Sequence, residues 1–87
     1  MDALKLGQIV FSKQGRDRGS AYVVTGTFVE AGKEYAYLAD GRLRPAGKPK
    51  KKKLMHIQPT KEVMPVDLDA EAGALNACLR KMLEEYN

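Results

Sequence analysis

Eighty-seven residues carry fifteen Lys and Arg against eleven Asp and Glu, a net charge of +4, with one cysteine, one histidine and no tryptophan. A chain of this length makes one small domain that buries about 60–65% of its unfolded surface, too little to enclose a deep active site. One cysteine allows neither an internal disulfide nor a cysteine-built zinc site, no apolar run approaches the roughly 20 residues of a membrane span, and MDALKLGQIVF does not read as a signal peptide. A cytoplasmic protein without a membrane partner is expected.

In chain order, residues 6–12 (LGQIVFS) are short, β-branched and aromatic, and predict a strand. Residues 13–19 (KQGRDRG) predict a tight loop between two glycines, and 20–29 (SAYVVTGTFV) a longer strand with a bulge or bend at Gly26. Ala31-Gly32-Lys33 turns the chain into a third strand over 34–39, and Asp40-Gly41 is a further turn pair. A short fourth strand is expected at 54–58, stopped by Pro59. Short strands joined by tight turns predict a mainly β fold, a small SH3-like antiparallel barrel over 1–62. Val10, Phe11, Val24, Phe28, Tyr37, Leu38 and Ile57 are its expected core.

Residues 63–87 differ in kind, a linker and then an amphipathic helix. From Asp67 on, Leu68, Ala72, Leu75, Leu79, Met82 and Tyr86 recur at steps of 4, 3, 4, 3 and 4, which puts them on one helical stripe. Asp67 or Asp69 is the expected N-cap. So short a helix must pack on something, either its own barrel, the favoured reading, or a second copy. Leu75, Leu79 and Met82 are the candidate residues for a protein contact. A monomer is expected.

Charge divides along the same line. Residues 1–61 hold thirteen Lys/Arg and five Asp/Glu, a balance of +8, while 62–87 hold two and six, a balance of −4. Residues 41–53 (GRLRPAGKPKKKK) concentrate seven positive side chains with no acid. Read as a loop, such a self-repelling run is suited to a polyanion, with a solubilising loop or a nuclear-import signal as the duller alternatives. Lys13, Arg16, Arg18, Arg42, Arg44, Lys48, Lys50, Lys51, Lys52, Lys53 and His56 are the candidate nucleic-acid contacts. Lysines there give affinity more than sequence discrimination. Asp17, between two arginines, is expected to cap backbone N–H groups or to orient an arginine. His56 can stack on RNA or make a structural hydrogen bond, and Tyr22, Tyr35 and Tyr37 are read as packing residues before stacking ones. No HxxxH, CxxC, GxSxG or P-loop arrangement is present, so no catalysis, metal or cofactor is expected.

The first loop and its flanks, VFSKQGRDRG running into YVV, resemble the KOW motif of ribosomal proteins and transcription elongation factors. The wider chain is similar to the eukaryotic and archaeal "fourteen-e" large-subunit ribosomal proteins and their bacterial KOW-domain relatives. The shared points are GQIVFS, GRDRG, ADGRLR and a basic run ending in His56-Ile57-Gln58-Pro59-Thr60, over roughly residues 5–62. Tyr22 stands where many KOW motifs carry a third glycine, and Lys53 where relatives often carry asparagine. The resemblance implies an RNA-binding, ribosomal or ribosome-associated protein acting in translation, with ribosomal RNA as its partner. A ribosomal or translation protein would meet the C-terminal helix. The alternative is an SH3-like protein-interaction module of the translation or transcription machinery.

Overall fold

Alternating apolar residues in the first forty positions need a sheet to bury them, and the computed structural model, which describes residues 4–86, provides one. Its strands are β1 (Gln8–Ser12), β2 (Ala21–Glu30), β3 (Lys33–Ala39), β4 (Lys50–Lys53) and β5 (Ile57–Val63), followed by one helix, α1 (Ala72–Met82). All pairings are antiparallel, in the order β4-β3-β2-β1-β5. The fold is therefore mainly β with a C-terminal helix, as the sequence predicts, and is consistent with a small SH3-like barrel.

Two cores, one on each face of the sheet, explain the imperfect alternation. Val10, Tyr22, Val24, Ala36, Leu38 and Ile57 cluster on the inner face. Ile9, Ala21, Val23 and Ala39 point to the outer face, where Leu75, Leu79 and Leu83 cover them. Central strands are thus apolar on both sides, as in sheets sandwiched between layers. Helix α1 docks on its own barrel.

Four expectations change. Residues 50–53 are a strand, not the end of a loop, pairing through Tyr35↔Lys53, Ala36↔Lys52, Tyr37↔Lys51 and Leu38↔Lys50. Like charges are tolerated because alternate lysines leave opposite faces and β4 is an edge, where lysines also discourage further pairing. Pro59 does not stop β5. It lies opposite Val10 within the strand, because β5 is the other edge and a missing N–H is tolerated there. Residues 54–56 form a 3-10 turn before that strand.

The helix also begins later than its stripe suggests. The Asp67 carboxylate accepts from Asp69 N (3.0 Å) in a separate turn, while Glu71 caps α1 by accepting from Gly73 N (2.9 Å) and Ala74 N (3.1 Å). Those bonds hold the Glu71 carboxyl below its ordinary range. Finally, Phe11 and Phe28 are only partly buried and Tyr37 is 39% exposed, whereas Val10, Val24, Leu38 and Ile57 are core. The β2 register shifts between Val24 and Gly26, and the extra residue reverses which face Phe28 joins.

Candidate nucleic-acid interface

The first loop is held by its own backbone. Gly15 and Gly19 adopt φ of +89° and +88°, a region open to glycine. Gly19 N donates to Ser12 O (2.9 Å), Ser20 N to Asp17 O (2.9 Å) and Arg18 N to Gly15 O (3.2 Å). Lys13 N donates to His56 O (2.9 Å), which ties the loop to the turn before β5. So His56, half-buried, contributes through its carbonyl, and its imidazole makes no hydrogen bond among the described residues.

Asp17 is the hub. Its Oδ1 accepts from Ser12 Oγ (2.9 Å) and Lys52 Nζ (2.8 Å), and its Oδ2 from Tyr22 OH (2.9 Å) and Lys50 Nζ (2.9 Å). Lys52 also donates to Ser12 Oγ (2.6 Å) and Gln14 O (2.9 Å). Burial alone would raise the Asp17 carboxyl, but hydrogen bonds from Lys52, Lys50, Tyr22 and Ser12 outweigh it and hold the group well below the usual carboxylate range. Burial and the neighbouring Asp17 charge push the Tyr22 phenol far up. Asp17 orients lysines of β4, not the arginines beside it.

That arrangement sorts the basic residues. Lys50 and Lys52 are paired with Asp17, and Lys51 with Glu30 (2.6 Å). Lys13, Arg16, Arg18, Arg42, Arg44, Lys48 and Lys53 make no ion pair among the described residues. Arg16 and Arg18 are exposed on the loop that Asp17 pins. Two lysines against one carboxylate still leave the hub positive.

A second rigid turn carries Arg42 and Arg44. The Asp40 carboxylate accepts from Arg42 N (2.8 Å) and Arg44 N (2.9 Å), and the helix holds the turn through Arg80 Nη1 to Gly41 O (2.7 Å) and Asn76 Oδ1 from Ala46 N (2.7 Å). Leu43, between the arginines, is 90% exposed. The Asp40 and Arg44 charges both act on the Tyr22 phenol, which also donates to Asp17.

Not every candidate lies on these two turns. Leu75 (7% exposed) and Leu79 (0%) are covered by the sheet, which corrects their assignment to a partner contact, and Met82 packs beside them. Helix stripes cannot by themselves distinguish a self-docked face from a free one. The hub itself was not legible, because Ser12, Asp17 and Lys52 meet only through strand register. Same-parity lysines at 50 and 52 were the one available signal.

Among the described residues no group of three His, Cys, Asp or Glu side chains could hold a metal ion, and no helix is long and apolar enough to cross a membrane. No protein-family model and no curated protein matches the chain.

Proposed function

We propose that this chain binds structured RNA, most specifically ribosomal RNA, as a ribosomal or ribosome-associated protein of the cytoplasm. The observation that carries the reading is the pinned first loop. Arg16 and Arg18, without an ion pair among the described residues, project from a backbone fixed by Gly15, Gly19 and the Asp17 hub. A fixed backbone lowers the freedom lost when its arginines meet a phosphate, and a guanidinium can bind that phosphate in a bidentate manner. The second pinned turn adds Arg42 and Arg44, and Lys48 and Lys53 add charge that is unpaired among the described residues.

The sequence resemblance to KOW-domain ribosomal proteins supports the same reading. Shape and phosphate spacing, more than base identity, would set specificity, since arginines on two fixed turns suit a folded phosphate backbone. The alternative, an SH3-like protein-interaction module, is favoured by one observation, the exposure of Leu43 on a turn whose N–H groups donate to Asp40 and Asn76 and whose Gly41 carbonyl accepts from Arg80.

Sedimentation through a sucrose gradient, with sequencing of crosslinked RNA, separates the two. Co-migration with the large ribosomal subunit supports the proposal, with resistance to a high-salt wash indicating a structural component and salt-labile association a peripheral or assembly role. Migration at the top of the gradient with no enriched RNA moves the reading to the protein-interaction module.

A further inference from the structure

Helix α1 covers only part of the outer sheet face. Ala39 lies beneath it, but Tyr37 and Tyr35, two and four residues earlier on the same side of β3, belong to neither core cluster. Phe28 joins them because the β2 bulge brings it to that side opposite Tyr35. The Phe28 ring stacks on Tyr35 (centroids 5.2 Å, 10° between planes) and on Tyr37 (4.7 Å, 28°). Tyr37 lies down over β2 because Gly26 faces it, and a Cβ at position 26 would come within 3.2 Å of Tyr37 Cδ2.

Charge frames these rings. Lys51 Nζ sits 4.7 Å from the Tyr35 centroid and 5.4 Å from that of Phe28, steadied by Glu30. Lys53 pairs with Tyr35 and Lys33 with Glu30, on the same side. Three lysines and one carboxylate thus surround three aromatic rings. A partner for that surface needs a flat π-face and negative charge next to it, which a nucleotide has and a neutral peptide lacks.

We infer that Phe28, Tyr35 and Tyr37 form a stacking platform for an unpaired nucleotide, with Lys51 and Lys53 meeting its phosphates. This inference rests on the RNA-binding reading and refines its ligand to a stem with an adjoining unpaired strand. Strand β4 joins the two surfaces. Lys50 and Lys52 turn to the Asp17 hub, and Lys51 and Lys53 to the rings.

Two labelled RNAs test it by fluorescence anisotropy, a blunt hairpin and the same hairpin with an unpaired adenosine tail. The full chain is compared with Tyr37→Ala, the double variant Tyr35→Ala/Tyr37→Ala, and Tyr37→Phe, each checked for a native thermal melt. The tail is expected to tighten binding roughly five-fold or more, as one stacked base does. Tyr37→Ala and the double variant lose that gain, Tyr37→Phe keeps it, and blunt-hairpin affinity is the same in all four. Equal binding of the two RNAs by the full chain, or a tail gain that survives the double variant, overturns the platform and leaves the RNA-binding reading standing. Failure to bind either RNA removes both. In that case, tyrosine-dependent binding of an acidic peptide would give the face a protein occupant.

Discussion

Lys52 Nζ lies 2.8 Å from Asp17 Oδ1, joining residues 35 positions apart, with side-chain exposures of only 9% and 12%. The pair turns a basic strand and a basic loop into one rigid surface. Under the proposed RNA binding, an acid within this basic surface is thereby explained. Asp17 would give up some attraction for RNA while fixing the backbone from which Arg16 and Arg18 project.

Asp17→Asn keeps the shape but removes the charge that two lysines face. A loss of about 1–3 kcal/mol of unfolding free energy is expected, read from urea denaturation at neutral pH. Lys52→Ala should fall in the same range, whereas Lys51→Ala, whose ion pair is exposed, should change stability little.

The same hub fixes the acid response. The folded Asp17 carboxyl is depressed, so its stabilisation is complete above the unfolded carboxylate value of about 3.9 and is lost as pH falls through the folded value. The stability difference between wild type and Asp17→Asn should therefore be constant from neutral pH down to about 4. Below that it should shrink. A difference independent of pH would rule out a charged Asp17.

Glycine substitutions should rank by what surrounds them. At both Gly41 (φ +78°) and Gly19 (φ +88°) an alanine meets the left-handed penalty of about 1–2 kcal/mol. At Gly41 its Cβ would also run into the Asn76 carbonyl of α1, whereas at Gly19 nothing lies within 4 Å. Gly41→Ala should therefore lower the thermal midpoint more than Gly19→Ala.

Leu79 is fully buried between α1 and the sheet, and Leu79→Ala should cost about 2–5 kcal/mol. Leu68, 41% exposed and ahead of the helix, should tolerate the same change with little loss. If the helix served a partner instead of the barrel, the two variants would be equally stable.

Much of this fold was legible because strands β1 and β2 carry β-branched residues, β3 carries Tyr35 and Tyr37, and all three are bounded by Gly-containing turns. Residues 50–53 were not, since four adjacent lysines repel in any local reading. Pairing with β3 and the carboxylates of Asp17 and Glu30, distant in sequence, make that strand favourable. Phe28 was misplaced for a related reason. Val24 and Phe28 share parity, so strict alternation puts both in the core, and only the register shift after Val24 separates them. The loop arginines were readable from their glycine brackets, but the acid that positions the loop needed three-dimensional register.

The central claim is that charge on the pinned loop binds RNA phosphates, and the salt dependence of binding to a ribosomal RNA fragment tests it most directly. With about five phosphates neutralised, log affinity against log salt should have a slope of about −4 for wild type. For Arg16→Gln/Arg18→Gln, which leaves the Asp17 hub intact, it should fall to about −2, one unit per lost contact. An unchanged slope and affinity in that variant would contradict the account.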